Sequence, residues 1–128
     1  MKAMLRPLIV LALSAASTAA LAAPAKDEAA LGKRLFLRCT ACHAVSSKAP
    51  AKVGPHLQAI VGRKGGSVAG FGYSPAMKGA NVIWNEATLD KWLQRPQAVV
   101  PGTTMAFAGL PNAADRKALI AYLKKPAP

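Results

Sequence analysis

The 128-residue chain reads as an all-α protein, with three main helices, two or three short ones, and long loops gathered around a large bound group. Three observations carry this. Apolar residues recur at helical spacing in three separated stretches, residues 27–41, 86–95 and 113–125. Ten Gly and ten Pro fall largely between those stretches, where they forbid long regular elements. Loops of that length are unusual in a compact domain, and a bound group that replaces part of the core accounts for them. The length supports one domain.

The chain opens on Lys2 and Arg6, continues through apolar residues 8–13, and reaches Ala20-Leu21-Ala22, a small-x-small cleavage pattern. Residues 1–22 therefore read as a secretory signal peptide cut after Ala22. A retained membrane anchor is the competing reading. Ser14, Ser17 and Thr18 count against it, because they break a run already short for a span. The domain is then residues 23–128, exported to the periplasm, with 15 basic and 5 acidic side chains and a net charge of +10.

Residues 23–26 form a short lead. Asp27 caps a first helix reaching about residue 41, with Leu31, Leu35 and Phe36 on its apolar face. Gly32 lies inside that helix, at a cost of roughly 1 kcal/mol against alanine. Its presence there points to another backbone packed closely against it. Residues 44–73 are loop, with room for one turn of helix over residues 57–61. Ser74 and Pro75 cap and start a short helix to about Lys78. Asn85 caps a helix over residues 86–95 with Leu89, Trp92 and Leu93 on one face, and Pro96 ends it. A loop centred on Pro101 and Gly102 follows. Asn112 caps the last helix, which carries Leu119, Ile120, Tyr122 and Leu123 and stops before Pro126.

Cys39-Thr40-Ala41-Cys42-His43 is the Cys-x-x-Cys-His pattern of c-type heme attachment. Two thiols three residues apart at a helix end lie on one side and can add to the two vinyl groups of one porphyrin. The next residue then sets an imidazole under the iron. A thioredoxin-like dithiol would need a βαβ setting that this sequence lacks. A zinc site would need a fourth ligand, and His56 is the only other His. A plain disulfide leaves His43 without a reason. The other axial position is open to Met77, Met105 and His56. Met105 is favoured, since a soft thioether suits low-spin heme iron and its polar loop gives it no other reason to be buried.

The chain resembles the class I cytochromes c, the mitochondrial cytochrome c and bacterial cytochrome c2 group. The likeness extends over residues 27–125. Besides the Cys-x-x-Cys-His motif it rests on Gly32 with Phe36, Gly54-Pro55-x-Leu57, Gly62-Arg63-Lys64, Gly70-Phe71-Gly72-Tyr73-Ser74, Val82-Ile83-Trp84, Pro101-Gly102-Thr103-x-Met105-x-Phe107-x-Gly109 and Leu119-Ile120-Ala121-Tyr122-Leu123. The resemblance implies the class I cytochrome c fold with one heme c per chain, bound covalently through Cys39 and Cys42, with His43 and Met105 on the iron. It implies a carbonyl of Pro55 accepting from the His43 ring, and Tyr73, Trp84 and Thr103 bonding the heme propionates with Arg63 nearby. It also implies that Gly32 and Phe36 meet Tyr122 where the first and last helices cross, and that Phe107 lies against the exposed heme edge. Some positions depart from the mitochondrial pattern: Trp92 stands where Tyr is usual, Met77 where Asn is usual, and Gln97, Ala98 and Thr104 where lysines are usual.

A His/Met pair leaves no open axial position, so this constellation reads as a single-electron carrier between respiratory or photosynthetic complexes, not an enzyme. The alternative is a peroxidase-like or small-ligand-binding heme protein acting through a labile Met105. The positive charge suits acidic faces of redox proteins such as a terminal oxidase or a cytochrome bc1-like complex. Weak contact with anionic membrane surfaces fits the same charge. Nucleic acid is excluded as a partner because no basic stripe is interleaved with aromatics. The protein is expected to be a monomer.

Overall fold

The structure is a computed structural model that describes residues 25–127, so the expected signal, residues 1–22, lies outside the described residues. Five helices are present among them: α1 (Ala25–Phe36), α2 (Pro75–Gly79), α3 (Glu86–Gln94), α4 (Pro96–Val99) and α5 (Ala113–Lys124). No strand forms in the described residues, and one isolated antiparallel bridge joins Lys64 to Ile83.

α3 and α5 stand where apolar periodicity and capping residues put them. Asn85 accepts from Thr88 N to start α3, and Asn112 accepts from Ala114 N and Asp115 N to start α5. Ser74 accepts from Met77 N, and Pro75 sits at the first position of α2. α1 differs at both ends. It begins at Ala25, so Asp27 lies in its first turn rather than at its cap, where the helix dipole still favours a carboxylate.

α1 also stops at Phe36, not near residue 41. Beyond Phe36 the chain tightens into i→i+3 bonds, with Arg38 N donating to Leu35 O and Cys39 N to Phe36 O. The carbonyls beyond are taken from outside the helix. Lys52 Nζ donates to Thr40 O, Gly54 N to Cys42 O and Leu57 N to Ala44 O. These tertiary bonds override local propensity.

Residues 57–61 form no helix. Ile60 N bonds back to Leu57 O and Arg63 N to Ile60 O, giving consecutive turns. Pro96 does end α3, but it also begins α4, a four-residue helix where the sequence suggests loop. Proline lacks the N–H that a first helical position has no use for, so one residue serves both elements.

The core is built where α1 crosses α5 and where α3 packs on α4 and α5. At the first crossing an alanine Cβ at Gly32 would lie 2.7 Å from Tyr122 Cβ and closer still to Ala118 O. Glycine is required there because the α5 backbone occupies the space of a side chain. The Phe36 and Tyr122 rings meet beside it at 5.5 Å between centroids, and Trp84 stacks obliquely on Trp92 at 4.9 Å. Arg116, almost fully buried, closes the second junction. Its Nε donates to Asp90 Oδ1 at 2.7 Å, and its Nη1 donates to Leu110 O and Pro111 O at 2.9 Å each.

Candidate functional site

The Cys-x-x-Cys-His segment occupies the turn that follows α1. Cys42 N and His43 N both donate to Cys39 O, at 3.1 and 2.8 Å, so a single helical turn carries the two sulfurs and the imidazole. Both cysteines are free thiols rather than a disulfide; Cys42 is exposed and Cys39 half-buried. Burial pushes the Cys39 thiol above its ordinary value, against the pull of Arg38 and with a smaller push from Cys42.

The His43 ring is held from one side. Its Nδ1 donates to Pro55 O at 2.7 Å, which leaves the lone pair on Nε2. The loop comes this close because residue 54 is Gly: a Cβ there would lie 2.5 Å from Cε1 and 2.8 Å from Nδ1 of His43. Gly54 N also donates to Cys42 O at 2.7 Å, tying the loop to the cysteine turn.

The other expected residues fall on the loops and elements that follow. Tyr73 Oη accepts from Val68 N at 3.2 Å and keeps its own proton to donate. Thr103, buried, accepts from Met105 N at 3.3 Å through Oγ1 and likewise keeps its hydroxyl proton. The buried Trp84 indole N–H makes no hydrogen bond among the described residues. Arg63 donates to Gln58 O at 2.7 Å and to His56 O at 2.8 Å, so its guanidinium is fixed in place. Burial pulls Arg63 below its ordinary value, with Tyr73 acting the other way.

Met105 is half-buried and packs against the core from a loop pinned at both ends by Val100 and Leu110, each 2% exposed. Met77 is buried in α2 as a core residue, and Phe107 is half-buried. His56 lines a surface cleft with Lys52, Val68 and Phe71, and its buried Nδ1 has no hydrogen-bond partner among the described residues.

Two contributors carry no local sequence signal. Gln97 stands out in the sequence only as a departure from the mitochondrial pattern, but its amide reaches the Met105 loop. Nε2 donates to Thr103 O at 3.0 Å and Oε1 accepts from Gly102 N at 3.1 Å. Arg116 holds the far end of that loop and reaches Asp90, 26 residues away in sequence. No short window of sequence contains both partners of that pair.

The residues present fit heme c. Two reduced thiols sit on one turn beside a histidine whose second nitrogen is already committed, and three donors keep unspent protons. A polynuclear or carboxylate-rich metal site is not formed: no group of three or more His, Cys, Asp and Glu converges among the described residues.

The sequence matches the family described as Cytochrome c over residues 29–126. It is 51% identical over 92 residues to a cytochrome c2 of Rhodomicrobium vannielii, covering 72% of this chain and 74% of that protein. It is 46% identical over 94 residues to the cytochrome c2 of Rhodoblastus acidophilus, covering 73% of this chain and 88% of that protein. Among solved structures it is similar to cytochrome cH from Methylobacterium extorquens. The TM-score there is 0.70 at 39% identity, over 75% of this chain and 96% of that one.

Proposed function

The chain belongs to the cytochrome c family, class I, and from that premise we propose that it is a diffusible single-electron carrier of the periplasm or a like compartment. The family binds heme c covalently, and its members carry electrons rather than turn over a substrate. In our reading Cys39 and Cys42 form the thioethers, and His43 and Met105 are the axial ligands. Tyr73, Trp84 and Thr103 donate to the propionates, with Arg63 beside them. The domain extends over residues 23–128 after loss of the signal.

The observation that carries this reading is the His43–Pro55 hydrogen bond. It fixes the ring's tautomer and orientation, so that Nε2 is a ready ligand on the turn that bears both thiols. Heme c, when bound, supplies the one-electron Fe(III)/Fe(II) couple. His43 and Met105 would be the residues that hold the iron, and with both bound no position would remain for oxygen or peroxide. The remaining polar groups orient the heme edge and offset its propionates.

The charge distribution supports acidic redox partners, such as a terminal oxidase or a cytochrome bc1-like complex. All five acidic residues lie on α1, α3 and α5: Asp27, Glu28, Glu86, Asp90 and Asp115. Three of them are paired there, with Lys117, Lys124 and Arg116. Residues 29–85, which hold the cysteine turn, contain basic side chains and no acidic one.

The test is a set of absorption spectra of the heme-loaded protein: oxidised, reduced, and reduced under carbon monoxide. A weak far-red sulfur-to-iron band and no response to carbon monoxide are expected. A carbon monoxide shift at neutral pH, with the far-red band absent, would overturn the closed His43/Met105 site and favour ligand-binding chemistry.

A further inference from the structure

We propose that Gln97 is a positioning residue for Met105, its side-chain amide holding the loop that presents the thioether and so setting how firmly Met105 stays on the iron. The proposal rests on the His43/Met105 ligand pair advanced above. The reasoning starts from the loop's backbone. Val100 and Leu110 are buried anchors, and Met105 lies midway between them. The Leu110 end is held by main chain and by a buried cation: Leu110 N donates to Leu93 O at 2.7 Å, and Arg116 donates to Leu110 O. Gly109 packs against the Gln94 carbonyl on the same side.

The Val100 end is held by main chain as well, Val100 N donating to Pro96 O at 3.0 Å and Thr103 N to Val100 O at 3.1 Å, and Gln97 adds the side-chain tie. One amide engages both polar directions of the loop, donating to Thr103 O and accepting from Gly102 N. Thr103 then passes the constraint on, since its Oγ1 accepts from Met105 N. The bonds therefore run from α4 through Gln97 and Thr103 to the backbone of Met105 itself. Gly102 is in the left-handed region at φ +83°, where the chain reverses, and the Gln97 oxygen holds its N–H there. Residues 96–109 carry no charge, so the bonds among Gln97, Gly102, Thr103 and Met105 are neutral ones. A lysine at position 97 would have no acceptor for Gly102 N–H. The glutamine is thus a loop tie, and more than the absence of a docking charge.

The test measures imidazole affinity by spectral titration of the heme-loaded protein, together with the thermal midpoint and the exchange rate of the Gly102 amide. Imidazole competes for the position Met105 holds. Two weak, partly exposed hydrogen bonds lost together correspond to about a tenfold gain in imidazole affinity for Gln97→Ala. Gln97→Glu, which keeps the acceptor for Gly102 and loses the donor to Thr103, is expected to lie between. Gly102 exchange quickens in Gln97→Ala, and Ala98→Gln, next door on α4, leaves affinity at the wild-type value.

Wild-type affinity in Gln97→Ala, with much tighter binding in Met105→Ala, would overturn the role of Gln97 and leave the ligand pair intact. Equal affinity in Met105→Ala and wild type would overturn the ligand pair itself. A rise in affinity shared by Ala98→Gln would also count against the tie, since it would mark general loosening of α4.

Discussion

Replacing Gly32 with alanine tests the packing that closes this fold. The added Cβ would lie 2.7 Å from Tyr122 Cβ and 2.8 Å from the Ala118 carbonyl carbon, with Ala118 O nearer still; ordinary contact begins at 3.4 Å. The obstacle is backbone and Cβ, so no side-chain rotation relieves it, and α1 must move away from α5. Overpacking of this kind costs about 3 kcal/mol. Alanine in a helix returns about 1 kcal/mol. The net loss is therefore about 2 kcal/mol, and for a domain of this size the melting temperature falls by about 10 °C. Guanidinium unfolding of the heme-loaded protein reads it as a lower midpoint at unchanged slope. Gly79→Ala is the control, since a Cβ there meets nothing within 4 Å. It is expected to hold or slightly raise the midpoint. A Gly32→Ala protein as stable as the wild type would refute the close crossing.

Three further outcomes follow from the same structure. Arg116→Leu leaves the carbonyls of Leu110 and Pro111 without their donor, and should cost about 2–4 kcal/mol in denaturant unfolding. Asp90→Asn keeps an oxygen for Arg116 Nε but takes the counter-charge from a guanidinium whose side chain is only 7% exposed, and should also destabilise, by about 1–3 kcal/mol. Met77 and Trp92 are both buried, and Met77→Asn and Trp92→Tyr bring polar groups into the core, so a potentiometric titration should register a changed midpoint potential. An unchanged potential in both variants would refute their influence on the heme. Oxidation by hexacyanoferrate(III), an anion, should slow as ionic strength rises from about 0.01 M to about 0.15 M, since salt screens the acid-free basic segment. A rate indifferent to salt would count against electrostatic steering.

Much of the architecture was legible in the sequence because its signals are local. Ser74, Asn85 and Asn112 each cap the helix that follows them, since a side-chain oxygen needs only a backbone N–H two or three residues on. Gly32 was an energetic anomaly inside a helix, and the α5 backbone lying against it resolves the anomaly. The bond from His43 to Pro55 was expected from family likeness, and it appears at 2.7 Å. The early end of α1 was not legible. It depends on Lys52, Gly54 and Leu57 taking carbonyls that a local reading leaves free.

The sequence by itself determined the chemistry and the main helices. Cys39, Cys42 and His43 sit at a spacing that one turn of chain converts into two thiols and an imidazole, and apolar periodicity sets three long helices in order. Only the tertiary structure decided that Pro96 both ends α3 and starts α4, that Gln97 bonds to the Met105 loop, and that Arg116 reaches back to Asp90. The reason is range. Propensity, caps and motif spacing act across a few residues, whereas a buried guanidinium or a loop carbonyl must find whichever partner the folded chain brings within hydrogen-bond distance.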